Sequence, residues 1–159
     1  MSAAKPTLYI GNRNYSTWSL RAWLLMRQLG IDFQEHPLRL FSEEFRSTLA
    51  KVAPVARVPV LVDNGFAVWE SLAIVEYLAE RFPQAGIWPA DLQERTRARS
   101  VCAEMHAGFT NLRTRMPMNI EAELPAMGWD LAVQADIDRI AAIWTGLRTM
   151  HAAKGPFLF

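Results

Sequence analysis

The spacing of apolar residues changes period several times along the first half of the chain. Thr7–Ile10 is a short β-favouring run, and the turn-forming cluster Gly11-Asn12-Arg13-Asn14 ends it. From Ser16 the apolar positions recur at steps of three and four (Leu20, Trp23, Leu24, with Arg27 in phase), which predicts a helix closed by Gly30. Phe33–Leu38 alternates loosely and predicts a second strand. Ser42 to Lys51 reads as a short surface helix with Ser42 as its cap and Glu43 and Glu44 at the positive end of its dipole. Val58–Val62 is a third strand, Asp63-Asn64-Gly65 is a strong hairpin signal, and Phe66–Val68 returns antiparallel. A third helix starts at Ser71, with Ile74, Val75, Leu78 and Phe82 on one face.

The order βαβ followed by ββα predicts a four-stranded mixed sheet with helices on both faces, an α/β arrangement that resembles thioredoxin. Pro83, Gly86 and Pro89 punctuate the next segment, and no strand pattern follows them. The boundary is therefore placed after residue 84, with an α/β domain over 1–84 and an all-α domain, an incomplete helical bundle, over 85–159. Val101, Met105, Phe109, Leu112 and Met116 predict one long helix ending before Pro117. Val133, Ile137, Ile140, Trp144 and Leu147 predict another, after a loop containing Pro117, Pro125 and Gly128. Two such helices cannot bury both apolar faces by themselves.

Composition narrows the chemistry. The 159 residues include 17 basic and 16 acidic side chains, a formal charge of +1, which argues against a nucleic-acid groove or a polybasic membrane patch. No window approaches the ~20 consecutive apolar residues that span a bilayer, and Met1–Pro6 lacks a signal-peptide core, so the expected location is the cytoplasm. Cys102 is the single cysteine and the three histidines are scattered, so neither a disulfide framework nor a metal site is expected. Cys102 lies beside the apolar face and reads as packing.

A thioredoxin-like redox protein carries Cys-x-x-Cys at the start of its first helix, where the helix N-terminus lowers a thiol pKa. This chain has Ser16-Thr17-Trp18-Ser19 there. Disulfide exchange is impossible without sulfur, but hydroxyls and unpaired N–H groups at a helix start can still hold an incoming thiolate. Either Ser16 or Thr17 can supply that hydroxyl, acting as a hydrogen-bond donor, and Ser19 reads as part of the first turn. A plain helix cap is the simpler role for Ser16 taken alone.

Two further segments carry a resemblance. Ala53-Pro54-Val55-Ala56-Arg57-Val58-Pro59-Val60-Leu61 looks like the glutathione transferase loop in which a cis-proline exposes the backbone of the residue before it. Glu70-Ser71 resembles the acidic residue and serine that open that family's third helix. Taken together with Ser16, the three segments in this order resemble the glutathione transferases over nearly the whole chain, most specifically from Tyr9 to Phe82. The resemblance implies a thiol-activating Ser16 or Thr17 and glutathione contacts from Arg57, Val58, Pro59, Glu70 and Ser71. In these contacts Val58 pairs with the peptide backbone, Ser71 holds the γ-glutamyl carboxylate and Glu70 takes the amino group. It also implies a second-substrate pocket touched by Asn14, His106 and Arg113, with Arg13 beside Asn14.

The implied function is a glutathione transferase that directs the thiolate at a small electrophile by conjugation or isomerisation, with no metal, no nucleic-acid partner and a homodimeric state. A non-catalytic interaction module on the same fold is the competing reading. Ser16-Thr17-Trp18-Ser19-Leu20-Arg21 is most similar to the serine-type classes, including the zeta class with its maleylacetoacetate isomerases, although Thr17 and Trp18 replace that class's second serine and cysteine. The final Lys154-Gly155-Pro156-Phe157-Leu158-Phe159 resembles the segment before the family's next helix, which implies a truncated helical domain with an unpartnered apolar tail and an exposed apolar patch.

Overall fold

The computed structural model describes residues 5–155 and 158–159. It divides into two compact units, Met1–Ile87 and Trp88–Phe159. The first is a thioredoxin-like α/β unit with strands β1 (Thr7–Ile10), β2 (Gln34–Pro37), β3 (Val60–Asp63) and β4 (Phe66–Trp69). Its helices are α1 (Thr17–Gln28), α2 (Glu43–Val52) and α3 (Ser71–Arg81). The strands lie in the order β2-β1-β3-β4; β1 runs parallel to β2, and β3 runs antiparallel to both β1 and β4.

Strand alternation sorts the core into two layers. Leu8, Ile10, Leu61 and Val68 point to one side and pack with Ala22 and Met26 of α1 and Ile74 and Leu78 of α3. Their neighbours Tyr9, Val60 and Val62 point to the other side, against Phe45 and Leu49 of α2. The hairpin turn forms at the predicted place, with Asn64 at φ 49° and Gly65 at φ 82°, both in the left-handed region that a tight two-residue turn requires. Asp63, buried at the turn, accepts from Tyr77 Oη at 2.8 Å and Arg81 Nε at 3.4 Å, tying the hairpin to α3. Burial, together with the facing Asp63 carboxylate, raises the Tyr77 pKa.

At the β2 edge, Glu35 is gripped by Arg13 and Arg27, and both guanidiniums also lie over the Trp23 ring, at 5.7 and 5.6 Å. Burial pushes the Glu35 carboxyl up. The Trp23 indole N–H, which faces it without closing a full hydrogen bond, and the two arginines more than reverse that, so its pKa lies below the ordinary 4.5. A depressed carboxylate pKa adds stability that is present above the unfolded-state value and is lost as pH falls through the folded-state value. Glu35→Gln is therefore expected to cost about 0.5–1 kcal/mol at neutral pH, a modest loss because both arginines are solvent-screened. The gap from wild type should close as the pH falls below 4.5. Urea midpoints across that range measure it; a gap that stays constant with pH would remove the ion cluster as its cause.

The second unit is helical: α4 (Leu92–Ala107), α5 (Thr110–Arg115) and α6 (Leu131–His151). The single long helix expected before Pro117 is broken into α4 and α5. Gly108 ends α4 in a place where a Cβ would come within 2.8 Å of the Glu104 carbonyl oxygen, and Phe109 follows at φ 62°. The break turns Phe109 inward, where it packs with Ile143 and Leu147 of α6. In α6 the buried stripe is Val133, Ile143 and Leu147, while Trp144, expected on that face, is 51% exposed. Arg139 of α6 grips Glu104 of α4 through two hydrogen bonds of 2.6 and 2.9 Å.

The expected apolar tail has partners among the described residues: Leu158 and Phe159 pack on the Phe109 cluster, and Phe159 lies 5.2 Å from the His151 ring. Phe157 lies outside the described residues. Other large apolar side chains of this unit, including Leu92, Leu131 and Met150, are exposed. Among the described residues no helix is long and apolar enough to cross a membrane, and no group of His, Cys, Asp and Glu is gathered to hold a metal ion.

Candidate functional site

Strand register brings the three sequence segments together. Val60 of β3 pairs with Tyr9 of β1 on one side and with Trp69 of β4 on the other. Because β3 is antiparallel to both, the residues just past Tyr9, just before Val60 and just past Trp69 leave the sheet at the same end. Those are the run into Ser16, the Val58–Pro59 bond and Glu70-Ser71. β2 runs parallel to β1, with Pro37 paired to Ile10, so Leu38 to Phe41 leave at this end as well.

The start of α1 is not capped in the ordinary way. At α2, α4 and α6 the N-cap side chains of Ser42, Asp91 and Asp130 accept first-turn N–H bonds of 2.9–3.1 Å, and α5 receives the Asp136 carboxylate on Leu112 N at 3.0 Å. Ser16, the N-cap of α1, makes no such bond. Its side chain is buried, and Ser16 Oγ donates to Ser19 Oγ at 2.8 Å. Ser19 Oγ also accepts the Gly11 backbone N–H at 2.9 Å. The backbone at Gly11 runs close to both neighbours: a Cβ there would meet Leu40 Cδ2 at 2.8 Å and Ser16 Oγ at 3.0 Å, so a side chain would require them to shift. Thr17 is half-buried and its N–H donates to Tyr15 O at 3.2 Å; Trp18 carries the Arg21 guanidinium over its ring at 4.3 Å.

The Val58–Pro59 peptide bond is cis, Pro59 is buried, Val58 is half-buried and Arg57 is exposed. Glu70, the N-cap of α3, has φ 67° and makes no side-chain cap bond. A non-glycine residue in the left-handed region costs of order 1–3 kcal/mol and persists where surrounding structure enforces it. It delivers Ser71 at the first position of α3, 2% exposed, with a buried Oγ that has no hydrogen-bond partner among the described residues. An unmet buried hydroxyl costs about 1–3 kcal/mol, which a ligand acceptor would recover. Thus α1 and α3, whose N-cap side chains leave their first turns uncapped, both begin at the sheet end that carries the cis-proline.

The remaining candidates have contacts of their own. Asn14 precedes α1 in an Asx turn, its N–H donating to Asn12 Oδ1 at 2.7 Å, and Arg13 is engaged by Glu35. His106 and Arg113 belong to the helical unit. Arg113 Nε donates to Gly108 O at 3.0 Å, and its Nη2 donates to Met105 O, so its guanidinium holds the last turn of α4. His106 is half-buried in that same turn. Ser19 and Gly11, expected only as part of the first turn of α1 and of the turn after β1, contribute to this cluster. The signal for both was present, in a hydroxyl three residues after Ser16 on the same helix face and a glycine opening the loop that leads to it.

Residues 15–81 match the family described as "Glutathione S-transferase, N-terminal domain". A Caenorhabditis elegans protein named "Probable maleylacetoacetate isomerase" is 31% identical over 155 residues, covering 97% of this chain and 71% of that protein. The Rattus norvegicus maleylacetoacetate isomerase is 32% identical over 136 residues, covering 81% of this chain and 60% of the relative. Among solved structures, a Burkholderia glutathione transferase homologue with bound glutathione aligns at a TM-score of 0.66 and 26% identity, covering 91% of this chain and 67% of that one. An unclassified Bombyx mori glutathione S-transferase aligns at 0.69 and 26%, covering 92% and 68%. The chain spans less than two thirds of the rat relative's length, yet the nematode relative matches it almost from end to end. The two uncapped helix starts beside a cis-proline therefore lie within a wider likeness of sequence and fold, and the chain belongs to the glutathione S-transferase family.

Proposed function

We propose that this chain binds glutathione at the sheet end formed by Ser16, Val58–Pro59 and Glu70-Ser71, and activates its thiol for attack on a small electrophile. One observation carries the reading: two helix starts whose N-cap side chains make no capping bond flank a cis-proline, and one of them holds a buried hydroxyl without a partner among the described residues. A peptide thiol with a carboxylate at its far end matches at once two helix starts whose own N-cap side chains make no capping bond. Ser16 Oγ–H donates to the sulfur, with Thr17 as the neighbouring alternative. The Val58 backbone pairs with the cysteinyl residue, Ser71 Oγ–H and the α3 N-terminus hold the γ-glutamyl carboxylate, Glu70 takes the ammonium and Arg57 reaches the other carboxylate.

A free thiol has a pKa of about 8.5, and a charge-assisted hydrogen bond of about 1.5–3 kcal/mol, discounted for desolvation, lowers it by about one to two units. That shift takes a mostly protonated thiol to about a quarter to three quarters thiolate at neutral pH. The names of the relatives support isomerisation of maleylacetoacetate as the first electrophile to try, with conjugation of simple electrophiles beside it. Asn14, His106 and Arg113 are carried as second-substrate residues on the family resemblance. A cytoplasmic homodimer completes the reading, and sedimentation tests its assembly.

Titrating the ultraviolet absorbance of bound glutathione measures the central claim. A thiol pKa about a unit or more below the free value supports activation, and an unshifted thiol on a tightly bound peptide would favour the non-catalytic module. Ser71→Ala is expected to weaken glutathione binding about tenfold by calorimetry, the loss of one hydrogen bond to a charged group. Unchanged affinity would remove Ser71 from the site.

A further inference from the structure

We infer that Ser19 is a positioning residue for the Ser16 hydroxyl, relaying a backbone hydrogen bond through two side chains to the sulfur. The inference rests on the glutathione reading above and adds a residue to it. Ser19 is 4% exposed, and its Oγ sits between two partners, the Gly11 N–H at 2.9 Å and Ser16 Oγ at 2.8 Å.

A serine oxygen offers two lone pairs and one proton. The Gly11 N–H can only donate, so it occupies one lone pair of Ser19 in every arrangement. Two arrangements then remain for the serine pair. Ser16 donates to Ser19 or Ser19 donates to Ser16, and the 2.8 Å separation of the two oxygens fits both. The two differ only by rotation of hydroxyl protons, and no heavy atom has to move.

Only the second arrangement serves a thiolate. While Ser16 donates to Ser19, its single proton is committed. When Ser19 donates instead, Ser16 accepts that bond and its own proton is released to the sulfur. A thiolate at the start of α1, which accepts and cannot donate, selects this arrangement. The chain then runs in one direction, from Gly11 N–H to Ser19 O–H to Ser16 O–H to sulfur, and each bond polarises the next. Gly11 brings no Cβ to crowd this pair; one there would lie 3.0 Å from Ser16 Oγ. Ser19 touches no substrate in this arrangement and acts through Ser16.

The test is the thiol pKa of bound glutathione in wild type, Ser19→Ala, Ser19→Thr, Ser16→Ala and the double alanine variant, with S-methylglutathione affinity measured alongside. Ser19→Ala should raise the pKa by about half a unit to one unit, the scale of one hydrogen bond between hydroxyls. Affinity for S-methylglutathione, which has no thiol to ionise, should stay near wild type. Ser19→Thr, which keeps a hydroxyl, should restore the shift, and adding Ser19→Ala to Ser16→Ala should raise the pKa no further. The inference is overturned by a wild-type pKa in Ser19→Ala, by an equal rise in the Ser16→Ala background, or by loss of S-methylglutathione binding, which would make Ser19 structural. A wild-type protein that leaves the glutathione thiol unshifted sinks the activation reading and this inference with it. A shifted wild type with an inert Ser19→Ala sinks this inference alone.

Discussion

Ser16→Ala is expected to raise the thiol pKa of bound glutathione by about one to two units and to lower conjugation at neutral pH about tenfold, following the fall in thiolate. The loss should shrink as the assay pH rises past the thiol's free value, where the nucleophile ionises unaided. Glutathione affinity should change far less, because the γ-glutamyl contacts at the start of α3 are left intact. Thr17→Ala is the matching control: its side chain is half-buried, whereas Ser16 is buried in the hydrogen-bonded pair with Ser19. A rate and pKa that move with Thr17→Ala and not with Ser16→Ala would transfer the donor role one residue along the helix.

Leu61→Ala is expected to destabilise the α/β unit by about 2–5 kcal/mol. Leu61 is fully buried in β3, with β1 and β4 as its strand neighbours, and it packs in the layer formed with Leu8, Ile74 and Leu78. Every strand that delivers a site residue borders this position, so the neighbours cannot close on the void without disturbing the register. Against a typical total of about 5–15 kcal/mol the loss is severe, and the urea midpoint should fall accordingly. Saturating glutathione should restore part of the midpoint, since it binds only the folded form. A loss under about 1 kcal/mol would mean that the layer collapses freely around the gap.

Much of the first unit was legible because its signals are local. Asn64-Gly65 at a hairpin, Ser42 before a helix and the alternation in β3 each follow from the conformational preferences of a few neighbouring residues. The second unit shows where local preference stops. Phe109 in a left-handed conformation contradicts the preference of a bulky residue, and it is held there by packing against Ile143 and Leu147, which lie far along the chain. The run from Val101 to Met116 keeps helical spacing across the break, so periodicity alone joined two helices into one. Only Gly108 marked the end of the first. In α6, Trp144 matched the spacing as well as Ile143 did, and tertiary packing chose Ile143.

The site divides in the same way. Pro59 permits a cis bond without requiring one, and Glu70-Ser71 reads as an ordinary cap in isolation; both drew their meaning from family resemblance. The unusual φ of Glu70 and the missing partner of Ser71 Oγ are visible only in three dimensions. Ser19 was hidden for a different reason. Serine near a helix start is commonplace, and what distinguishes it is a backbone donor from Gly11 across the loop.

The hairpin at Asn64-Gly65 lies at the opposite end of the sheet from Ser16 and touches none of the proposed contacts, yet it works as the ruler of the site. It fixes Val60 opposite Trp69, and so fixes how far Pro59 stands from Ser71. Each residue added to one arm of that hairpin would slide the α3 start along β3 by about 3.4 Å and turn its side chains to the other face. The sheet could absorb such a slip and remain a sheet, while the distance between sulfur and carboxylate anchors would no longer fit one peptide. Drift in loop length at this remote turn is therefore a route by which a descendant could keep the fold and lose the ligand.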